Sequence, residues 1–481
     1  MTTRHISGLQ LARLLRDVPP ERPYYLALAR AVRALVLDGR LPLRLRLPAE
    51  RDLATALGCS RTTITAAYDA LRADGFMESR QGAGSWTVLP AGPMSSTAST
   101  GFGPAYTPAM QDDVIDLGCA APGAPAVFAE AVAAAVAELP RYSTGPGYDA
   151  AGLLPLRQAI ADRYAARGLP TSPAQIIVTT GAQQALSLLL DLLISPGDAV
   201  QVESPTYPHA LDAVRRAGAR LVPAGVNGGW DVELAGGSLR QAAVRLAYLI
   251  PDFQNPTGHL MSGPQRAAML EAARYADAQV IADETFAELP IDSPAMPAPL
   301  ASYDTGGRVI SVGSAAKLFW GGLRIGWIRA TIPMAARLAV ARGCLDIASP
   351  VLEQLIVVEL LARIDEVRAQ RAAELAASRD ALAAALRERL PDWEFPLPRG
   401  GMSIWARLPA PVAARQAEAG FRHGVRTVPG PAFGADGMLD DYLRLPYVLP
   451  PDVLREAVER LAAAARDVES APPHRSLPAY V

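Results

Sequence analysis

Residues 309–327 read VISVGSAAKLFWGGLRIGW. A β-branched run ends in small residues, and a lysine follows at position 317. In an open α/β sheet a buried strand hands over in this way to a site at its carboxyl end. Lys317 is the only lysine in 481 residues; every other position of the Lys+Arg total of 46 is arginine. Arginine carries a surface charge or an ion pair equally well, but its guanidinium stays protonated and cannot form a Schiff base. A bias against lysine explains the scarcity of the residue but not its position.

Outward from this stretch, QIIVTT, DAVQVE, RLAYLI, AQVIAD and RVISVG alternate with long Ala/Leu-rich segments of helical character. Short β-rich runs between helices predict a largely parallel sheet in an α/β body. From about residue 331 helices dominate, with late strands near GGMSIWARL and GVRTVPG, as in a smaller α+β subdomain. Residues 91–112 are rich in Gly, Pro, Ser and Thr without an apolar period, which reads as a linker. The division expected is a head over 1–88, a linker over 89–112, a body over 113–468 and a frayed tail over 469–481.

Half the residues are hydrophobic and 20% are charged, with mean hydropathy +0.13. That composition supports a large core and argues against disorder. No apolar run reaches the ~18 uncharged residues of a membrane span, and the amino terminus lacks a signal-peptide apolar region. Three scattered cysteines, Cys59, Cys119 and Cys344, suggest a reducing compartment and no metal site. A cytoplasmic protein is expected. The net charge of −2 hides an asymmetry: residues 1–88 carry 13 Arg against 8 acids, a balance of +5, which leaves −7 for the remainder. A basic head on an acidic body points to nucleic acid for the head.

In the head, LPAERDLATALGCSRTTITAAYDALRADGFMESRQGAGSWTV reads as helix, tight turn, helix and β-wing. Pro48 opens the first helix, Gly58 and Cys59 make the turn, Ser60 caps the second helix and Gly75 ends it. An exposed first turn with Arg61, Thr62, Thr63 and Thr65 suits a recognition helix in the major groove. Arg80 and Gln81, with Gly82 permitting a tight tip, place the wing near the minor groove or backbone. The plainer reading of Arg51 and Arg61 is solvated helix charge. The composite resembles the winged helix-turn-helix head of GntR-type regulators, which implies double-stranded DNA as partner and Arg51, Ser60, Arg61, Thr62, Thr63, Thr65, Arg80, Gln81 and Gly82 as its DNA-facing residues.

In the body, IIVTTGAQQALSLLL is strand, small-residue turn and helix, with the N–H groups of Gly181, Ala182 and Gln183 at a helix N-terminus suited to phosphate. ESPTYPHA sets Tyr207 after a strand, where its ring can stack on a flat cofactor. PDFQNPTG fixes Asn255 in a turn. VIADETF puts Asp283 at the carboxyl end of a buried strand, where an acid keeps a pyridine nitrogen protonated. Arg324 follows Lys317 by seven residues and suits a second grip on phosphate. Taken singly, these are a core aromatic, a turn residue and a structural carboxylate.

Together they resemble a fold-type I, aspartate-aminotransferase-like, pyridoxal-phosphate domain over roughly residues 113–468. Joined to the head, the chain resembles the MocR/GabR regulators. The resemblance implies pyridoxal 5′-phosphate bound as an aldimine at Lys317, with Asp283 on the ring nitrogen, Asn255 on the ring hydroxyl and Tyr207 stacked. Ser314 and Arg324 join the Gly181 turn on phosphate, though Ser314 also reads as a turn cap. Arg444, in YLRLPYV, matches the arginine that binds a ligand carboxylate, with a structural ion pair as the alternative. YSTGPGYDAAGLLPLR resembles the segment that lends a tyrosine to the partner subunit's phosphate, Tyr148 being the better candidate. A head-to-tail homodimer is implied.

Two positions depart from the aminotransferase pattern: Phe286 stands where tyrosine is usual and Ala316 where serine is usual. Both retain cofactor binding in principle and put efficient transamination in doubt. The leading expectation is a regulator that senses pyridoxal phosphate or an amino compound through an external aldimine at Lys317. A working aminotransferase with a DNA-binding appendage is the second reading. A scaffold whose body is a cofactor-free relic is the third, and the Lys317, Asp283, Asn255 and Arg324 set argues against it.

Overall fold

The structure is a computed structural model that describes residues 5–16, 18, 23–80, 84–88, 113–292 and 295–470. The expected linker and most of the expected tail lie outside the described residues.

Four helices and a two-stranded wing make the head: α1 (Gly8–Leu14), α2 (Tyr24–Leu37), α3 (Glu50–Leu57), α4 (Arg61–Ala73), β1 (Met77–Arg80) and β2 (Gly84–Thr87). Leu11, Leu28, Leu35, Leu53, Ile64 and Leu71 fill its core. Gly58 ends α3 in the left-handed region, φ +66°, and the Ser60 hydroxyl accepts from Thr63 N, so turn and cap form as expected. One helix end differs from expectation. α3 starts at Glu50, leaving Pro48 outside it, because the Pro48 carbonyl is taken by the Tyr68 hydroxyl at 2.9 Å. α4 ends as expected at Gly75, which follows the cap residue Asp74 in the left-handed region at φ +75° while Phe76 N donates back to the Leu71 carbonyl at 2.8 Å.

The body is built on a seven-stranded sheet. In chain order the strands after the head are β3 (Ile115–Asp116), β4 (Ile176–Thr179), β5 (Ala199–Ser204), β6 (Arg220–Gly225), β7 (Val244–Leu249), β8 (Gln279–Asp283), β9 (Val309–Ser314), β10 (Gly326–Arg329), β11 (Ser403–Arg407), β12 (Val425–Arg426), β13 (Val428–Pro429) and β14 (Tyr442–Pro446). The large sheet runs β4-β10-β9-β8-β7-β5-β6. It is parallel except for β10, which pairs antiparallel with both β4 and β9. Strands β4, β5 and β8 are buried along almost their whole length, as strands covered on both faces by helices are, and β5 takes Gln201 and Glu203 inside with it.

Two sheet strands escape the sequence pattern. β6 carries Arg220 and Pro223 and lies at the sheet edge, the place where a strand proline is tolerated. β10 is four residues long and follows a Gly-rich turn. Beyond the sheet, β11, β14 and β13 form a small antiparallel layer, and β12 pairs with β3 in parallel. The helices Ile364–Arg389 and Pro451–Ser470 pack beside them, the latter running two residues past the expected boundary at 468.

The head packs against the body. Arg13 pairs with Glu233, and His5 N donates to Gln241 Oε1 at 3.2 Å. No helix among the described residues is long and apolar enough to cross a membrane.

Candidate functional site

The carboxyl ends of β5, β7, β8 and β9 share one edge of the sheet, and Tyr207, Asn255, Asp283 and Lys317 leave from them. β10 adds Arg324 just before it, and β14 brings Arg444 from the small layer. Residues from distant parts of the chain therefore meet because parallel strands end together.

Lys317 is half-buried. Its ammonium donates to the Ala120 carbonyl at 2.7 Å and stands 5.5 Å from the Phe286 ring centre. Burial lowers its pKa to about 8, the Arg444 and Arg324 charges act the same way, and Cys119 and Asp283 oppose them. Lys317, Asp283, Arg324 and Arg444 thus lie within electrostatic reach of one another. Asp283 is buried, accepts the Tyr248 hydroxyl at 2.5 Å and the Thr285 amide at 3.0 Å, and its carboxyl is held above the usual range by burial. Asn255 is buried in the turn after β7.

Gly181 caps the helix Ala182–Leu193 at φ +82°. An added Cβ there would lie 2.7 Å from Arg324 Nη2, so the glycine leaves room for the guanidinium beside the helix N-terminus. Ala182 and Gln183 are the first residues of that helix. Ser314 closes β9, and its hydroxyl accepts from Ala316 N at 3.1 Å, which makes it a turn cap in this structure. Tyr207 caps the helix Pro208–Arg216 and stacks on His209, ring centres 4.9 Å apart. Arg444 is buried, donates to the Gly118 carbonyl and lies over the Phe433 ring at 5.1 Å. Tyr148, expected to serve a partner subunit's site rather than its own chain's, is 72% exposed.

Five groups of this site were missed in the sequence. Tyr248, which grips Asp283, sits inside the apolar run RLAYLI, and a hydroxyl there needs a partner when buried. The carbonyls of Gly118 and Ala120 carry no side-chain signal at all. His209 is held neutral, its pKa lowered to about 4 by burial and by the Lys317 and Arg444 charges. Glu203, buried behind the site, accepts from Trp230 Nε1 at 2.8 Å and Gln254 Nε2 at 3.0 Å; burial raises it to about 7.

On the head, Arg61 keeps 72% of its side chain exposed while its Nε donates to Glu50 Oε2 at 3.3 Å. Arg51, Ser60 and Thr62 are exposed. Thr63 and Thr65 are half-buried rather than exposed, because Ser60 holds the first and the Thr65 hydroxyl turns to Glu50 Oε2 at 2.9 Å. Arg80 is exposed on the wing and pairs with Glu78 at 3.5 Å. Gln81 and Gly82 lie outside the described residues.

This arrangement has known counterparts. Aminotransferase class I and II matches residues 121–461, and the gntR family of bacterial regulatory proteins matches residues 24–86. The chain is 32% identical over 328 residues to aromatic-amino-acid aminotransferase 1 of Thermococcus litoralis, covering 66% of this chain and 78% of that protein. It is 34% identical over 333 residues to the probable rhizopine catabolism regulatory protein MocR of Rhizobium meliloti, covering 65% of each. The crystal structure of Pyrococcus horikoshii kynurenine aminotransferase superposes with TM-score 0.70 at 28% identity, over 75% of this chain and 93% of that one. The chain therefore belongs to the aminotransferase class I and II family, with a gntR-family head fused ahead of the aminotransferase-like body.

Proposed function

We propose that the chain is a DNA-binding transcription regulator whose body holds pyridoxal 5′-phosphate at Lys317 and through it reads a small amino compound or the cofactor itself. Pyridoxal phosphate is the cofactor of this family, and the residues present fit it. The cradle at Gly181, which a Cβ would fill, joins a helix N-terminus to a guanidinium and suits a phosphate. The buried Asp283 carboxylate suits a ring nitrogen, and the Lys317 amine suits an aldehyde. When bound, the cofactor supplies an electrophilic aldehyde and an electron-withdrawing ring.

The chain's own residues do the rest. The depressed pKa of Lys317 raises its neutral, nucleophilic fraction near neutral pH. Tyr248 orients the Asp283 carboxylate. Arg444, buried over Phe433, offers a fork for a ligand carboxylate. The Glu50 carboxylate braces Arg61 at the start of α4, the helix suited to a major groove. A second copy of the chain belongs to this reading. The family resemblance supplies its head-to-tail arrangement, and the 72% exposure of Tyr148 leaves that side chain available to a partner.

The lone lysine carries the reading: a half-buried amine at the sheet's carboxyl edge, beside Asp283 and Arg444, in a chain headed by a gntR-family unit. The variant Lys317→Ala should lose all borohydride-reducible cofactor attachment while its head stays folded by circular dichroism. Attachment that survives the substitution contradicts the assignment. The similarity to an aminotransferase favours a second reading, a working transaminase. Against it, the buried Phe286 ring beside Lys317 lacks the hydroxyl usual there.

A further inference from the structure

The surface where head meets body is built from close backbone approaches, and it lies against the arm that carries Tyr207. After α2 the chain turns through Asp38, Gly39 and Arg40. An added Cβ on Gly39 would lie 2.7 Å from the Ser204 hydroxyl at the end of β5. An added Cβ on Gly225, the last residue of β6, would lie 2.5 Å from Arg40 Cα and 2.7 Å from the Gly39 carbonyl. Two strand ends of the body therefore seat one turn of the head with no room for a methyl group.

A second contact runs through Phe433. Leu43 of the head packs on the body cluster of Trp405, Phe433 and Tyr442. The Phe433 carbonyl accepts from Thr206 N at 3.0 Å, which fixes the residue before Tyr207. Its ring lies 5.1 Å beneath the Arg444 guanidinium. Phe433 thus touches the head through the cluster and touches the candidate ligand pocket through two separate groups.

We propose that the head's 38–43 turn is clamped by the Ser204–Tyr207 arm and the Phe433 patch, so that occupancy of the body's pocket sets how firmly the head is held. The inference rests on the regulator reading above and adds the contact through which the body acts. A cofactor under Tyr207 pins the arm, and the arm in turn pins Gly39 and Arg40. A ligand on Arg444 bears on the same Phe433 ring. For occupancy to shift the head, the pinned and free arms must hold it unequally, and the lack of clearance at Gly39 and Gly225 provides that difference.

Hydrogen exchange of backbone amides 38–45 tests the clamp, with the full-length protein stripped of pyridoxal 5′-phosphate and then reloaded. In the wild type, reloading should slow exchange there about tenfold. Gly225→Val drives a side chain into the Arg40 backbone, so exchange should be fast in both states while absorbance shows that the cofactor still binds. Leu43→Ser, which removes the apolar contact from the head side, should give the same loss if Gly225→Val fails to fold. Exchange indifferent to reloading in the wild type, or head amides as protected in a folded variant as in the wild type, overturns the clamp. DNA binding is scored separately, on fragments selected from a random library. If the wild-type protein selects none, the regulator reading fails and the exchange data still decide the clamp.

Discussion

At the scale of single residues, Lys317 shows what one side chain contributes. Its folded pKa of about 8 lies below the ordinary 10.5, with burial as the first cause. A buried base with a lowered pKa favours its neutral form, so the folded state gains stability as pH rises from about 8 towards 10.5 and loses it again as pH falls. The same shift governs attachment. The rate at which the stripped protein captures pyridoxal 5′-phosphate should climb with pH and level off near 8. Stopped-flow absorbance checks this, and a rate that climbs on to about 10 contradicts the burial of the amine. Position 317 was legible in the sequence because only one lysine exists and it follows a strand. Tyr248 was not, because its service to Asp283 depends on two strands lying in register, Tyr248 opposite Ile281. The carbonyls of Gly118 and Ala120 belong to a loop whose path only tertiary packing reveals.

At the scale of elements, the turn from β4 into the helix Ala182–Leu193 carries the phosphate cradle. Gly181 sits at φ +82° and ψ 167°, a region that side chains avoid. Gly181→Ala should therefore strain the turn by about 1–3 kcal/mol and push on Arg324. The expected result is cofactor retention weakened about tenfold or more, measured by equilibrium dialysis, with thermal stability of the body only modestly reduced; unchanged retention contradicts the cradle. In the head, Arg61 is held by Glu50 at the first turn of α4. Arg61→Ala should weaken DNA binding at fixed salt by about 1–3 kcal/mol, with relaxed preference at one position if the contact is to a base. Unchanged affinity on library-selected DNA removes α4 from the interface. The short β-rich runs β4, β5, β7, β8 and β9 were readable in the sequence, although Gln201 and Glu203 interrupt β5 and Arg245 interrupts β7. The edge strand β6, interrupted by Pro223, and the four-residue β10 were hidden, because their strand character comes from neighbours already in place.

At the scale of the molecule, charge and topology divide the labour. The first 88 residues carry +5 and the remainder −7, so an approaching duplex is drawn to the head and repelled by the body. The body orders its site on one sheet edge, and the head is seated on the adjoining strand ends Ser204 and Gly225. This contact could not be foreseen in the sequence, since glycines at two strand ends carry no mark of what will pack on them. On the regulator reading the body senses a ligand rather than turning it over. The most direct measurement is a visible-absorption titration of the cofactor-loaded protein with a panel of amino acids and amines. One ligand should shift the band of the bound cofactor, and the shifted band should persist. Conversion to the pyridoxamine form, reversed by a keto acid through repeated cycles, would contradict that reading and make the protein a transaminase.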